Sequence, residues 1–155
     1  MGVLLTIYLC VLDIDRATGE TKVRRFYALD DCGTRINPMS IEGQIHGGLT
    51  EGFAVAMGQQ MPYDAQGNLM GNTLMDYFLP TAVETPNWET DHTVTPSPHH
   101  PIGAKGVAES PHVGSIPTFT SAIVDAFSHV GVTHLDMPHT SFRIWKALKE
   151  NNLAL

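Results

Sequence analysis

The sequence predicts an α+β fold: a mixed sheet with hairpins, packed by a glycine-rich helix and two C-terminal helices. Three observations carry this expectation. Two segments rich in β-branched and aromatic residues open the chain on either side of a turn cluster. A long stretch then places apolar residues at steps of mostly four, and two shorter helical patterns close the chain. The length, 155 residues, suits one ordinary domain with a real core, spanning 1–155.

Val3 to Asp15 reads as a buried strand, and Asp15-Arg16-Ala17-Thr18-Gly19-Glu20 as the turn that follows it. The apolar run is too short to span a bilayer, and no basic residue precedes it as a signal peptide requires. Thr21 to Asp30 is a second strand, so the two form a hairpin. Asn37-Pro38 supplies an N-cap followed by proline at the first helical position.

From Met39 to Met57 the residues Ile41, Ile45, Leu49, Phe53, Ala56 and Met57 make one apolar face of a helix. Gly43, Gly47, Gly48 and Gly52 lie inside it, each costing about 1 kcal/mol relative to alanine. Gln44, Gly48 and Gly52 share a four-spaced column. Missing side chains there let either a neighbouring backbone or a ligand approach closely, and Gln44 is the one amide on that strip.

Leu69 to Leu79 suggests a strand with an irregular continuation, and Trp88 to Thr95 another strand within a proline-rich stretch from Pro80 to Pro101. Such a stretch must be pinned by side-chain contacts or a partner. Ser115-Ile116-Pro117 looks like a helix start. Phe119, Ile123, Val124, Phe127 and Val130 form its stripe, and Gly131 is its stop. Thr140 or His139 opens a last helix, with Phe142, Trp145 and Leu148 facing inward.

Lys+Arg 9 against Asp+Glu 16 gives a net charge of −7 with scattered basic residues, which argues against a nucleic-acid partner. Charged residues make up only 16% of the chain, below the usual quarter, so something else covers much of this surface. Two cysteines, Cys10 and Cys32, cannot build a disulfide framework or a four-cysteine zinc site. His99-His100 and His92 lack metal-ligand spacing and read as structural or surface residues, while His46 is ambiguous.

The most informative segment is Gly103-Ala104-Lys105-Gly106-Val107-Ala108-Glu109-Ser110-Pro111. Glycines let backbone N–H groups converge on an anion, lysine adds a point charge, and the helix that follows adds a favourable partial charge. The spacing is not that of a GxxxxGK[ST] phosphate loop. Glu109, between a glycine-rich turn and Pro111, is a candidate general base or a neighbour of a metal; the plainer alternatives are a helix cap or a solvated carboxylate.

Three separated runs then carry a resemblance. Asp30-Asp31-Cys32-Gly33-Thr34-Arg35-Ile36-Asn37-Pro38, Ile41 to Gly52, and Gly103 to Pro111 resemble, in order, the C-terminal part of the molybdenum-binding large subunit of the xanthine oxidase / aldehyde oxidase family. Asn72 to Tyr77 and Thr95 to Pro101 are most similar to its aerobic branch that oxidises carbon monoxide. The resemblance implies that Glu109 matches a glutamate beside the molybdenum that acts as base toward water. It implies that Gln44 matches a glutamine bonded to the pterin dinucleotide, and that Lys105, Gly106, Val107 and Ala108 match the backbone turn near that cofactor.

It further implies molybdenum with molybdopterin cytosine dinucleotide, and copper held in the complete enzyme by an upstream cysteine that neither Cys10 nor Cys32 matches. The implied partners are the remainder of the large subunit, a flavin-binding medium subunit and an iron–sulfur small subunit, assembled as a dimer of heterotrimers. The implied location is cytoplasmic, with association at the inner face of the membrane left open. On this reading the chain is a single partial domain, a fragment inactive alone. Aldehyde or heterocycle oxidation, or a non-catalytic assembly module, are the alternatives.

Overall fold

In a computed structural model of the chain, residues 5–155 are described. The strand expected from Val3 is observed as β1 (Leu5–Ile14); Val3 and Leu4 lie outside the described residues. The turn after it is closed by Asp15, whose carboxylate accepts from the amides of Ala17 and Thr18. β2 (Thr21–Asp31) returns antiparallel, with Tyr8 opposite Ala28 and Cys10 opposite Phe26. β3 (Trp88–His92) pairs with β2 in parallel, giving a mixed sheet of order β1-β2-β3.

β1 departs from the expectation of a buried strand. It is an edge strand whose residues alternate, as a period of two demands, and Leu5, Ile7, Leu9 and Val11 point outward and are exposed. The opposite face, carrying Tyr8, packs on the helices.

α1 (Pro38–Met57) starts as its sequence dictates: the Asn37 side chain accepts from the Ser40 amide. α2 (Ser110–Ala126) begins five residues earlier than expected, and Pro117 lies inside it. A short 3₁₀ turn (Ser128–Val130) ends at Gly131, the expected stop. α3 (Ser141–Glu150) is capped by Thr140, which accepts from the Arg143 amide. Its buried residues are Ile144, Ala147 and Leu148, whereas Phe142 is 69% exposed, contrary to expectation. Residues 69–79 form turns around Thr73 with no strand, held by the bridge between Tyr63 and Leu69, by the Met70 amide donating to the Pro62 carbonyl, and by Phe78 against Gly58.

The main core is aromatic and draws on every layer. Phe26 of β2 meets Trp88 of β3 edge-on at 5.3 Å and Phe119 of α2 at 4.8 Å, above Ile45 and Leu49 of α1. A second cluster joins Ile123 and Phe127 to α3. α1 and α2 pack backbone to backbone. A Cβ on Gly48 would meet Pro111 Cβ at 2.9 Å, and one on Gly52 would overlap Ser115 Oγ at 1.8 Å. Among the described residues no helix is long and apolar enough to cross a membrane.

Candidate functional site

The glycine strip of α1 therefore divides. Gly48 and Gly52 are packing glycines, while a Cβ on Gly43 or Gly47 would meet nothing within 4 Å. Gln44 is exposed beside these two open positions, one turn before Gly48 and so near the start of α2. The packing reading is realised at Gly48 and Gly52, and Gly43 and Gly47 are left open.

Asp31, the last residue of β2, organises the loop that follows from the far side. Its carboxylate accepts from the Gly33 amide at 2.9 Å, the Thr95 amide at 3.1 Å and the Thr93 hydroxyl at 3.0 Å. Lys105 Nζ lies 2.8 Å away, and both side chains are buried. Burial alone would raise this carboxyl, but Lys105, Thr95 and Gly33 prevail and hold it well below the usual carboxylate range. These bonds are also what pins the proline-rich segment. Gly33 and Gly103 then meet so closely, each at positive φ, that a Cβ on Gly33 would overlap the Gly103 carbonyl at 2.2 Å.

The Lys105 ammonium thus faces Asp31, which corrects the expectation that it offers its charge to an outside anion. What the turn presents outward is Gly106, Ala108 and Glu109, with Val107 half-buried against the aromatic core. Glu109 is the N-cap residue of α2, exposed, and its side chain makes no capping hydrogen bond. The cap reading is therefore excluded, and the carboxylate is left exposed at the start of α2.

Asp30, one residue before Asp31, holds the other end of the turn. Its Oδ1 accepts from the Tyr8 hydroxyl at 2.7 Å and the Ser110 hydroxyl at 3.0 Å. Burial pushes the Asp30 carboxyl up against those two bonds, and burial beside Asp30 pushes the Tyr8 phenol up in turn. Sequence reasoning gave none of Tyr8, Asp30, Asp31 and Ser110 a role; the adjacent aspartates at a strand end were the available signal.

Among the described residues no group of three or more His, Cys, Asp or Glu is placed to hold a metal ion. His92 Nδ1 lies 3.1 Å from the Arg35 guanidinium. Burial pushes the Cys10 thiol up to about 12 and the buried Cys32 thiol up as well, so neither is poised as a thiolate. The residues present fit one wall of a large organic cofactor: open backbone at Gly43, Gly47 and Gly106, an exposed amide at Gln44, and an uncapped carboxylate.

A three-stranded mixed sheet packed by a glycine-rich helix and a clamped turn makes an α+β unit. Residues 3–86 match the family described as the molybdopterin cofactor-binding domain, and the chain belongs to that family. It is 91% identical over 149 residues to the carbon monoxide dehydrogenase large chain of Hydrogenophaga pseudoflava, covering 96% of this chain and 19% of that one. It is 68% identical over 139 residues to the large chain of the same name from Afipia carboxidovorans, covering 90% and 17%. The crystal structure of the Cu,Mo-CO dehydrogenase in its carbon monoxide reduced state superposes with a TM-score of 0.95 at 63% identity, covering 98% of this chain and 19% of that one. The chain thus spans about a fifth of the length of the relatives it matches.

Proposed function

We propose that this chain is one partial domain of a molybdenum-containing large subunit that oxidises carbon monoxide with water, and that Glu109 is the base of that reaction. The 91% and 68% identities to carbon monoxide dehydrogenase large chains support the substrate. The single observation that carries the role of Glu109 is its placement. It is exposed and uncapped at the start of α2, on a turn anchored at both ends.

The overall reaction releases two protons and two electrons as carbon monoxide and water become carbon dioxide. The molybdenum cofactor, when bound, supplies the two-electron oxidation. Glu109 takes up a proton from the reacting water and passes it to solvent, a task suited to an exposed carboxylate held in place. The backbone from Lys105 to Ala108 and the Gln44 amide hold the pterin, whose cytosine dinucleotide form is part of this proposal. Copper, in this reading, is bound by a cysteine elsewhere in the large subunit. Flavin-binding and iron–sulfur subunits carry the electrons away in a dimer of heterotrimers.

The test is Glu109→Gln in the assembled enzyme. Turnover of carbon monoxide is abolished while molybdenum content stays near normal; full turnover in that variant removes the assignment. The isolated chain, lacking the opposite wall, reduces no dye.

A further inference from the structure

The turn that carries Glu109 is gripped from beneath by two consecutive residues of β2. Asp31 holds Lys105 at its start, and Asp30 holds Ser110 at its end. Ser110 is 5% exposed and Asp30 1% exposed, so neither bond competes with water. The Ser110 hydroxyl also lies 3.0 Å from the Val107 carbonyl, so its single proton is shared between that carbonyl and Asp30 Oδ1 in a bifurcated bond that links the middle of the turn to its end. Asp30 is itself fixed from the opposite side by Tyr8 of β1, whose ring fills the space beside Gly114 of α2. Its second oxygen, Oδ2, is buried with no hydrogen-bond partner among the described residues, a cost the fold tolerates at this position.

We propose that Ser110, held by Asp30, is a positioning residue for Glu109: its hydroxyl fixes the 106–109 turn so that the neighbouring carboxylate keeps one orientation. Ser110 is buried, so it acts only through the turn. The proposal rests on the reading of Glu109 as base, and it adds the device that makes an exposed glutamate precise. Groups held in reacting geometry lose rate steeply when displaced by about an ångström.

The experiment uses the assembled enzyme with Ser110→Ala, reading kcat, KM, molybdenum content and amide hydrogen exchange across the turn. Exchange over 106–109 rises about tenfold and kcat falls about tenfold, with KM and molybdenum content unchanged, as expected for loosened positioning. Thr118→Val removes a hydroxyl-to-carbonyl bond of the same kind, to Gly114 on the same helix, and leaves both readouts alone. If Ser110→Ala does not fold, Ser110→Cys, of similar size and a weaker donor, is read in its place and moves both readouts less in the same direction. Unchanged exchange and kcat overturn the proposal. Glu109→Gln is run alongside: its failure to lose turnover removes the base assignment only, and the exchange readout still judges whether Ser110 holds the turn.

Discussion

Lys105 Nζ lies 2.8 Å from Asp31 Oδ1, with 6% and 1% of the two side chains exposed. A buried pair of this kind leaves an uncompensated charge when one partner is removed, at about 3–5 kcal/mol. Lys105→Met should therefore destabilise the chain by about that amount, measured by urea unfolding. A change within experimental error would mean that Asp31 is satisfied by Gly33, Thr93 and Thr95 alone.

The same pair sets an acid sensitivity. Asp31 is held below its ordinary value of 3.8, so the folded state favours the ionised carboxylate. Its contribution is fully present above the unfolded value and is lost as pH falls toward the lower folded value. The stability difference between the native chain and Asp31→Asn should thus shrink progressively below about pH 4. Asp30 is shifted the other way by burial, so its ionisation on raising pH through the same region opposes folding. A native-to-Asp31→Asn difference that is constant with pH would contradict the assignment.

The glycines of α1 should separate by role. Gly52→Ala forces a methyl onto Ser115 Oγ and destabilises the helix pair, whereas Gly43→Ala meets open space and should stabilise the chain by up to about 1 kcal/mol. Thermal melts of the two variants should move in opposite directions.

On the open side, Gly47→Ala and Gln44→Leu test the cofactor wall. Both substitutions leave the packing of the chain intact, since Gly47 has no neighbour within 4 Å and Gln44 is exposed. In the assembled enzyme both should lower molybdenum and pterin retention. Unchanged occupancy in Gln44→Leu would return that residue to an ordinary surface position.

The outward face of β1 predicts the behaviour of the chain by itself. Leu5, Ile7, Leu9 and Val11 form an exposed apolar row on an edge strand, a template for pairing with a second copy. The isolated chain should self-associate, and the double variant Ile7→Lys, Leu9→Lys should shift it toward monomer in light scattering.

The parts of this fold that sequence revealed were those decided by neighbours along the chain. The turn after β1 depends on Asp15 and Gly19, and the start of α1 on Asn37, Ser40 and Pro38, all within a few residues. The start of α2 was misplaced for the opposite reason. Its inward positions there are Pro111, Gly114 and Ser115, small because Gly48, Gly52 and Tyr8 press against them, so hydrophobic periodicity is silent. In α3 the aromatic pair Phe142 and Trp145 stacks along the outer flank, under Lys149, while the smaller Ile144 takes the core. The exposed position of Glu109 between the turn and a helix was legible from the composition of the turn. The inward aim of Lys105 was not, because its partner Asp31 is remote in sequence.

That remoteness has a kinetic side. Asp30 and Ser110 are 80 positions apart, and the bond between them joins the end of β2 to the start of α2. Chain-closure entropy must be met before such a contact rewards it, which places the shaping of the Glu109 turn late in the assembly of the domain. Until then β2 ends in two carboxylates that remain hydrated, and the turn has no fixed form to offer. The form of the turn is thus a property of the completed core and not of residues 103–111 alone.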